Sequence, residues 1–190
     1  MGFLDALLGR RKVKGPAPDR LFALTTAYVD LETQQDVTTR GRAAIVFQPL
    51  GTSDFRAIVA EMEEVLKGTG DEIGSTVETS DDEFGYRWMI LRDPDFEDLV
   101  VGLNAVSTAL EAGGYGDRIL ASVFPFSDEA GASVYWIYNY TRGSFYPFVP
   151  ARGAQQRDSE RELRLKAQIG SELPIEPELE RWFPLWGIPI

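Results

Sequence analysis

Apolar side chains in this chain change their spacing in a fixed order, and that order restricts the fold more than any other feature. Between Gly41 and Phe126, runs of strand length alternate with stretches whose apolar residues recur every three or four positions. Ala43 to Phe47 has strand character. Ser53 can cap a helix with Phe55, Ile58, Val59, Met62, Val65 and Leu66 on one stripe, and Gly68 and Gly70 are expected to end it. Ser75 to Ser80 and Tyr86 to Leu91 predict two strands around the acidic turn Asp81-Asp82-Glu83-Phe84-Gly85. Asp93-Pro94-Asp95 opens a second helix, with Phe96, Leu99, Val100, Leu103 and Leu110 facing inward. Arg118 to Phe126 then reads as a strand.

The order β-α-β-β-α-β predicts an α+β fold, with helices on one face of an antiparallel sheet and a ferredoxin-like core. Ser133 to Thr141 and Ser144 to Val149 extend it by a carboxyl-terminal hairpin that turns at Arg142-Gly143. A secretion-chaperone-like α+β sandwich has the same element types and is the alternative architecture. Upstream, Asp19 is placed to cap a helix reaching Gln34, with Leu21, Leu24, Tyr28 and Leu31 on one stripe. A polar helix is expected from Asp158 to Ile169. The resulting division is an amphipathic basic segment (residues 1–14), a Gly-Pro-Ala-Pro linker (15–18), one domain (19–170), and a tail rich in Pro and Trp (171–190).

Composition narrows the chemistry. The 190 residues contain neither histidine nor cysteine, which excludes thiol catalysis, His-based triads and most transition-metal sites. No cofactor and no metal site is expected. The net charge is −11, yet residues 1–20 hold Arg10, Arg11, Lys12, Lys14 and Arg20 against Asp5 and Asp19, so this end is basic and the rest strongly acidic. An acidic body repels phosphate backbones, and nucleic-acid binding is not expected. No run approaches the ~18 apolar residues needed to span a bilayer. The amino terminus has its basic residues after the apolar stretch, unlike a signal peptide, so the expected location is the cytoplasm, with peripheral contact at the inner face of the membrane.

Three surfaces are candidates for contact. In the amino-terminal segment, Phe3, Leu4, Leu7 and Leu8 sit at helical spacing ahead of Arg10, Arg11, Lys12 and Lys14. That pattern suits reversible binding to an anionic membrane or a partner helix, or docking on the protein's own body. The tail ends in Trp182-Phe183-Pro184-Leu185-Trp186-Gly187-Ile188-Pro189-Ile190, too apolar to be left in water. It is expected to wrap onto the domain or across a homodimer, or to bind a partner through Trp182, Phe183, Leu185 and Trp186. In the aromatic hairpin, alternation sends Trp136, Tyr138 and Tyr140 to one face and Tyr135 to the other. That face could stack a small ligand, although aromatic cross-strand pairs also stabilise sheets. The acidic run Asp93, Asp95, Glu97, Asp98 departs from a calcium loop, with Asp98 at its sixth position and Asn104 at its twelfth. No catalytic residue is assigned; a carboxylate-dependent hydrolase is the remaining enzymatic alternative.

The chain also resembles a known family. Met1-Gly2-Phe3-Leu4-Asp5-Ala6-Leu7-Leu8-Gly9-Arg10, Ala17-Pro18-Asp19-Arg20-Leu21-Phe22-Ala23-Leu24 and Asp93-Pro94-Asp95-Phe96-Glu97-Asp98-Leu99-Val100 are similar to stretches of the PspA-associated PspAB family. So are Arg142 to Phe148, Glu172-Leu173-Pro174-Ile175-Glu176-Pro177 and Trp182-Phe183-Pro184-Leu185-Trp186. The resemblance implies a protein of the phage-shock envelope-stress system, whose associates are PspA, a membrane-remodelling coiled coil, and an HtpX-like membrane protease. It carries no catalytic residues with it. The function expected is therefore that of a non-enzymatic adaptor contacting membrane or partner proteins.

Overall fold

A computed structural model describes residues 18–73, 75–151, 153 and 155–190. The amphipathic segment holding Phe3, Leu4, Leu7, Leu8, Arg10, Arg11, Lys12 and Lys14 lies outside them. The described residues form an α+β fold of four α-helices and a seven-stranded, open, antiparallel sheet. In chain order the elements are α1 (Pro18–Gln35), β1 (Val37–Thr39), β2 (Arg42–Phe47), α2 (Ser53–Ile73), β3 (Thr76–Asp81), β4 (Arg87–Arg92), α3 (Phe96–Ala112), β5 (Ile119–Asp128), β6 (Ser133–Asn139), β7 (Ser144–Phe148) and α4 (Ser159–Ile169). Short 3-10 turns occupy Gly116–Arg118 and Leu179–Arg181. No helix among the described residues is long and apolar enough to cross a membrane.

The strands run in the order β3-β4-β2-β5-β6-β7. β2 pairs with β4 from Arg42↔Arg92 to Phe47↔Arg87, and with β5 around Ala44↔Val123. β1 was not foreseen, because three residues carry too little pattern. It pairs with the far end of β5, Val37↔Asp128 to Thr39↔Phe126, so β1 and β2 share one flank of β5. Gly41 makes the break between them. Its φ of 62° suits a residue without a side chain, and a Cβ there would stand 3.2 Å from the Asp93 carbonyl oxygen.

Helix ends follow local hydrogen bonding. The Phe55 N–H donates to Thr52 Oγ1 at 3.4 Å, so the capping hydroxyl precedes the Ser53 expected from sequence. α2 then runs through Gly68 and Gly70 to Ile73. A glycine costs only about 1 kcal/mol in a helix interior, which did not suffice to stop this one. Asp95 caps α3 by accepting from Glu97 N–H at 2.8 Å, and Asp158 caps α4 by accepting from Arg161 N–H at 3.0 Å. The acidic run at 93–98 is thus partly spent on a helix start, where negative charge is favoured.

Both faces of the sheet are covered, by different means. The helices cover the first, where Ala43, Ile45, Phe47, Met89, Phe124, Phe126, Trp136, Tyr138 and Phe145 meet Leu24, Leu31, Phe55, Leu99, Leu103 and Leu110. On the second face Ala44, Val46, Trp88, Ile90, Val123, Ile137, Tyr146 and Phe148 are met by Trp182, Leu185, Trp186, Ile188 and Ile190 of the tail. Burial on both sides explains why β2 reads Arg-Ala-Ala-Ile-Val-Phe, with no polar alternation after its first residue.

Candidate functional site

The second face is built from alternate residues of β4, β2, β5, β6 and β7, and the tail crosses it as a strap. The strap is anchored before it crosses. Phe145 N–H donates to the Pro174 carbonyl and Glu176 N–H to the Phe145 carbonyl, both at 2.8 Å, so Ile175 pairs with the free edge of β7. Trp182 is then pinned at three points, two on its ring and one on its backbone. Its Nε1–H donates to the Glu176 carbonyl at 3.0 Å, the Lys166 ammonium lies 5.5 Å above the ring, and Arg157 Nη1 donates to the Trp182 carbonyl. Arg157 is itself held by Glu162, whose buried carboxylate accepts from Arg157 Nε at 2.8 Å and from Val149 N–H at 2.9 Å. Burial pushes the Glu162 carboxyl upward, and the Val149 and Arg157 hydrogen bonds oppose that shift.

Beyond Trp182 the strap does not fill the space over the sheet. A cavity of about 660 Å³ remains between it and the strands, within the range of pockets that hold small ligands or anchoring side chains. Val46, Trp88 and Ala121 lie among its strand-side lining, Tyr146 at its side, and Leu185 and Trp186 in its cover. The Tyr146 hydroxyl donates to the Phe183 carbonyl at 3.1 Å, and burial drives its pKa upward. That hydroxyl is therefore a fixed donor holding the strap, not a titrating group.

Acid and exposed aromatic rings meet at the mouth. Asp82 Oδ1 accepts from Phe84 and Tyr86 N–H, each at 2.9 Å, and its Oδ2 accepts from Trp88 Nε1 at 2.9 Å. One carboxylate thereby shapes the β3–β4 turn and orients the indole in the cavity wall. Glu83 and Asp117 also line the cavity and are exposed, and Asp117 pairs loosely with Arg118 at 3.7 Å. No lysine or arginine is among the lining residues described. Phe84 and Phe183 are 72% and 59% exposed at this same opening, where hydration of two rings is unfavourable.

The residues singled out from sequence are distributed unevenly. Phe183, Leu185 and Trp186 line the cavity, whereas Trp182 is buried as the strap's anchor. Trp136, Tyr138 and Tyr140 lie together as the hairpin alternation requires, but on the helix-covered face. Their exposures of 0%, 0% and 5% leave no open stacking surface there. The Tyr138 and Tyr140 rings meet edge to face at 5.0 Å, and Tyr140 shares a 2.9 Å hydrogen bond with Ser122. Sequence reasoning missed Asp82, Phe84, Tyr86, Trp88, Asp117 and Tyr146. A signal was present: the alternation of Tyr86, Trp88 and Ile90 sends three large side chains to the face that none of the described helices covers. Among the described residues no three carboxylates gather in a way that could hold a metal ion.

The family profile described as PspA associated protein B matches residues 1–190, the whole chain. The chain belongs to that family. No curated protein and no solved structure gives a significant match.

Proposed function

We propose that this chain is a non-enzymatic adaptor of the PspA-type envelope-stress system, and that it binds its partner at the opening between the β3–β4 turn and the strap. The observation that carries this reading is the pair of exposed rings, Phe84 and Phe183, flanking an apolar cavity inside an acidic rim. Such a mouth suits a helix presenting apolar anchors and basic neighbours, since aromatic anchors in pockets dominate protein interfaces. The family's description, PspA associated protein B, supports a PspA-like protein as that partner. An HtpX-like membrane protease and a second copy of the chain are further candidates for the same mouth. Peripheral membrane contact belongs to the same proposal, through Phe3, Leu4, Leu7 and Leu8 backed by Arg10 to Lys14.

The test is capture of the purified PspA-like protein of the same organism by the intact chain, with co-sedimentation on anionic vesicles run alongside. Phe84→Asp with Phe183→Asp should abolish capture and leave the fold intact, because both residues are exposed. Capture unaffected by the pair would refute the site. A small-ligand module is the second reading. It rests on the cavity's size and on Tyr146, which shares the aromatic hairpin with Trp136, Tyr138 and Tyr140 but faces the strap.

A further inference from the structure

We infer that the acid-rimmed cavity takes the chain's own amino-terminal segment, residues 3–14, so that the docking mouth is covered from within until that segment is displaced. Charge, apolar match and tether length converge on this occupant. Residues 1–14 carry Arg10, Arg11, Lys12 and Lys14 against Asp5 alone. The opening offers Asp82, Glu83 and Asp117 with no lining lysine or arginine among the described residues. Phe3, Leu4, Leu7 and Leu8 supply the apolar side chains that the lining of Val46, Trp88, Tyr146 and Trp186 would bury. Four basic side chains beside aromatic faces add cation–π attraction.

The tether starts close to the opening. The first turn of α1 is tied to the β6–β7 turn, where Arg20 Nη1 donates to the Gly143 carbonyl at 3.2 Å. Gly143 N–H in turn donates to the Asn139 carbonyl at 2.8 Å, and Asn139 and Thr141 both line the cavity. The 17 residues before Pro18 could extend about 55 Å. Along that path the basic cluster, nearer the linker, reaches the rim first and the apolar residues follow into the cavity. A short tether gives an effective concentration of order millimolar, so even weak intrinsic affinity keeps the site filled. This inference concerns an internal occupant and does not rest on the identity of any partner.

Because the chain has no cysteine, a single Gly9→Cys substitution accepts one nitroxide label on the intact protein. Paramagnetic broadening of backbone amide signals then reports where the segment resides. The expected result is loss of the Phe84, Gly85, Phe183 and Gly187 signals at low salt. They should recover in a Glu83→Lys/Asp117→Lys variant, and in about 1 M salt, where screening acts within ~3 Å. Arg10→Glu/Arg11→Glu/Lys12→Glu, which leaves the domain untouched, should restore the same signals. Absence of broadening in the parent chain, broadening at other surfaces, or persistence after charge reversal would each overturn the inference. So would broadening passed from labelled chains to isotopically marked unlabelled ones, which would assign the cavity to a second copy. No partner or vesicle is present, so a failed capture experiment leaves this result standing, and the reverse also holds.

Discussion

Replacing Trp182 with alanine removes the residue that fastens the strap to both α4 and the sheet. Its side chain is 4% exposed, packs against Tyr146 at 6.3 Å between ring centres, and lies under the Lys166 ammonium. Truncating a buried aromatic of this size costs about 3–5 kcal/mol through lost transfer energy and the cavity left behind. The Nε1 hydrogen bond to Glu176 contributes on the order of 1 kcal/mol of the same loss, since the carbonyl is left partnerless. A total near ~4 kcal/mol is a large share of the ~5–15 kcal/mol by which domains are stable. For a chain of this length it corresponds to a fall of about 8–16 °C in melting temperature. Urea unfolding followed by far-ultraviolet circular dichroism measures it, with Phe183→Ala as internal control. That neighbour is 59% exposed and should change stability by no more than ~0.5 kcal/mol. If Trp182→Ala costs less than ~1 kcal/mol, the strap is a loose appendage and the second core layer has been misjudged.

Three further outcomes follow from particular contacts. Arg157→Met leaves the Glu162 carboxylate, 2% exposed, without its charged partner, and should cost about 3–5 kcal/mol; most of that should return in Arg157→Met/Glu162→Leu, measured as a double-mutant cycle, and no recovery would refute the pairing. Gly41→Ala forces a φ of 62° on a residue with a Cβ and should cost about 1–2 kcal/mol, with Gly41→Asn milder; equal stability of the alanine variant in urea would refute it. Burial raises the pKa values of Tyr138, Tyr140 and Tyr146, so the folded state keeps protons that the unfolded state releases near pH 10. The unfolded state then binds fewer protons, and stability should fall as pH rises above ~10. Phenolate absorbance should show these three ionising only with unfolding; titration of all seven tyrosines in the folded protein would contradict it.

Much of the first layer is legible because its signals are local. The stripe of Leu21, Leu24 and Leu31, the apolar run Ala43 to Phe47 and the cap at Asp95 each announce their element within a few residues. β1 escapes because Val37–Thr39 is defined by partners some ninety residues away on β5. The true end of α2 escapes because Gly68 weighs against a helix only weakly, while the amphipathic stripe before it favours one. The hairpin shows the limit most sharply. Alternation separates Trp136, Tyr138 and Tyr140 from Tyr146 and Phe148, but it cannot say which face the helices take. The cavity is hidden for the same reason, since it forms where residues 82–88, 117–121 and 183–187 meet.

That cavity follows from the way the second face is covered. Helices α1 to α3 lie side by side and present apolar stripes that bury most of the first face, leaving a smaller cavity of about 300 Å³ lined by Leu66, Val77, Leu91 and Ala105. A single strap has to cover the second, and Pro184 and Pro189 deny it a regular hydrogen-bonded form that could pack row against row. It seals the β6–β7 side, where Trp182 stacks on Tyr146 and Trp186 meets Phe148 edge to face. It falls short towards β4, leaving Trp88 at the back of an opening edged by the β3–β4 turn. Sealing that side as well would take only a few more apolar residues. Instead, beside Asp82, whose carboxylate holds the Trp88 indole, the chain places exposed Glu83, Asp117, Phe84 and Phe183, four side chains that make physical sense as a place for something apolar and basic to dock.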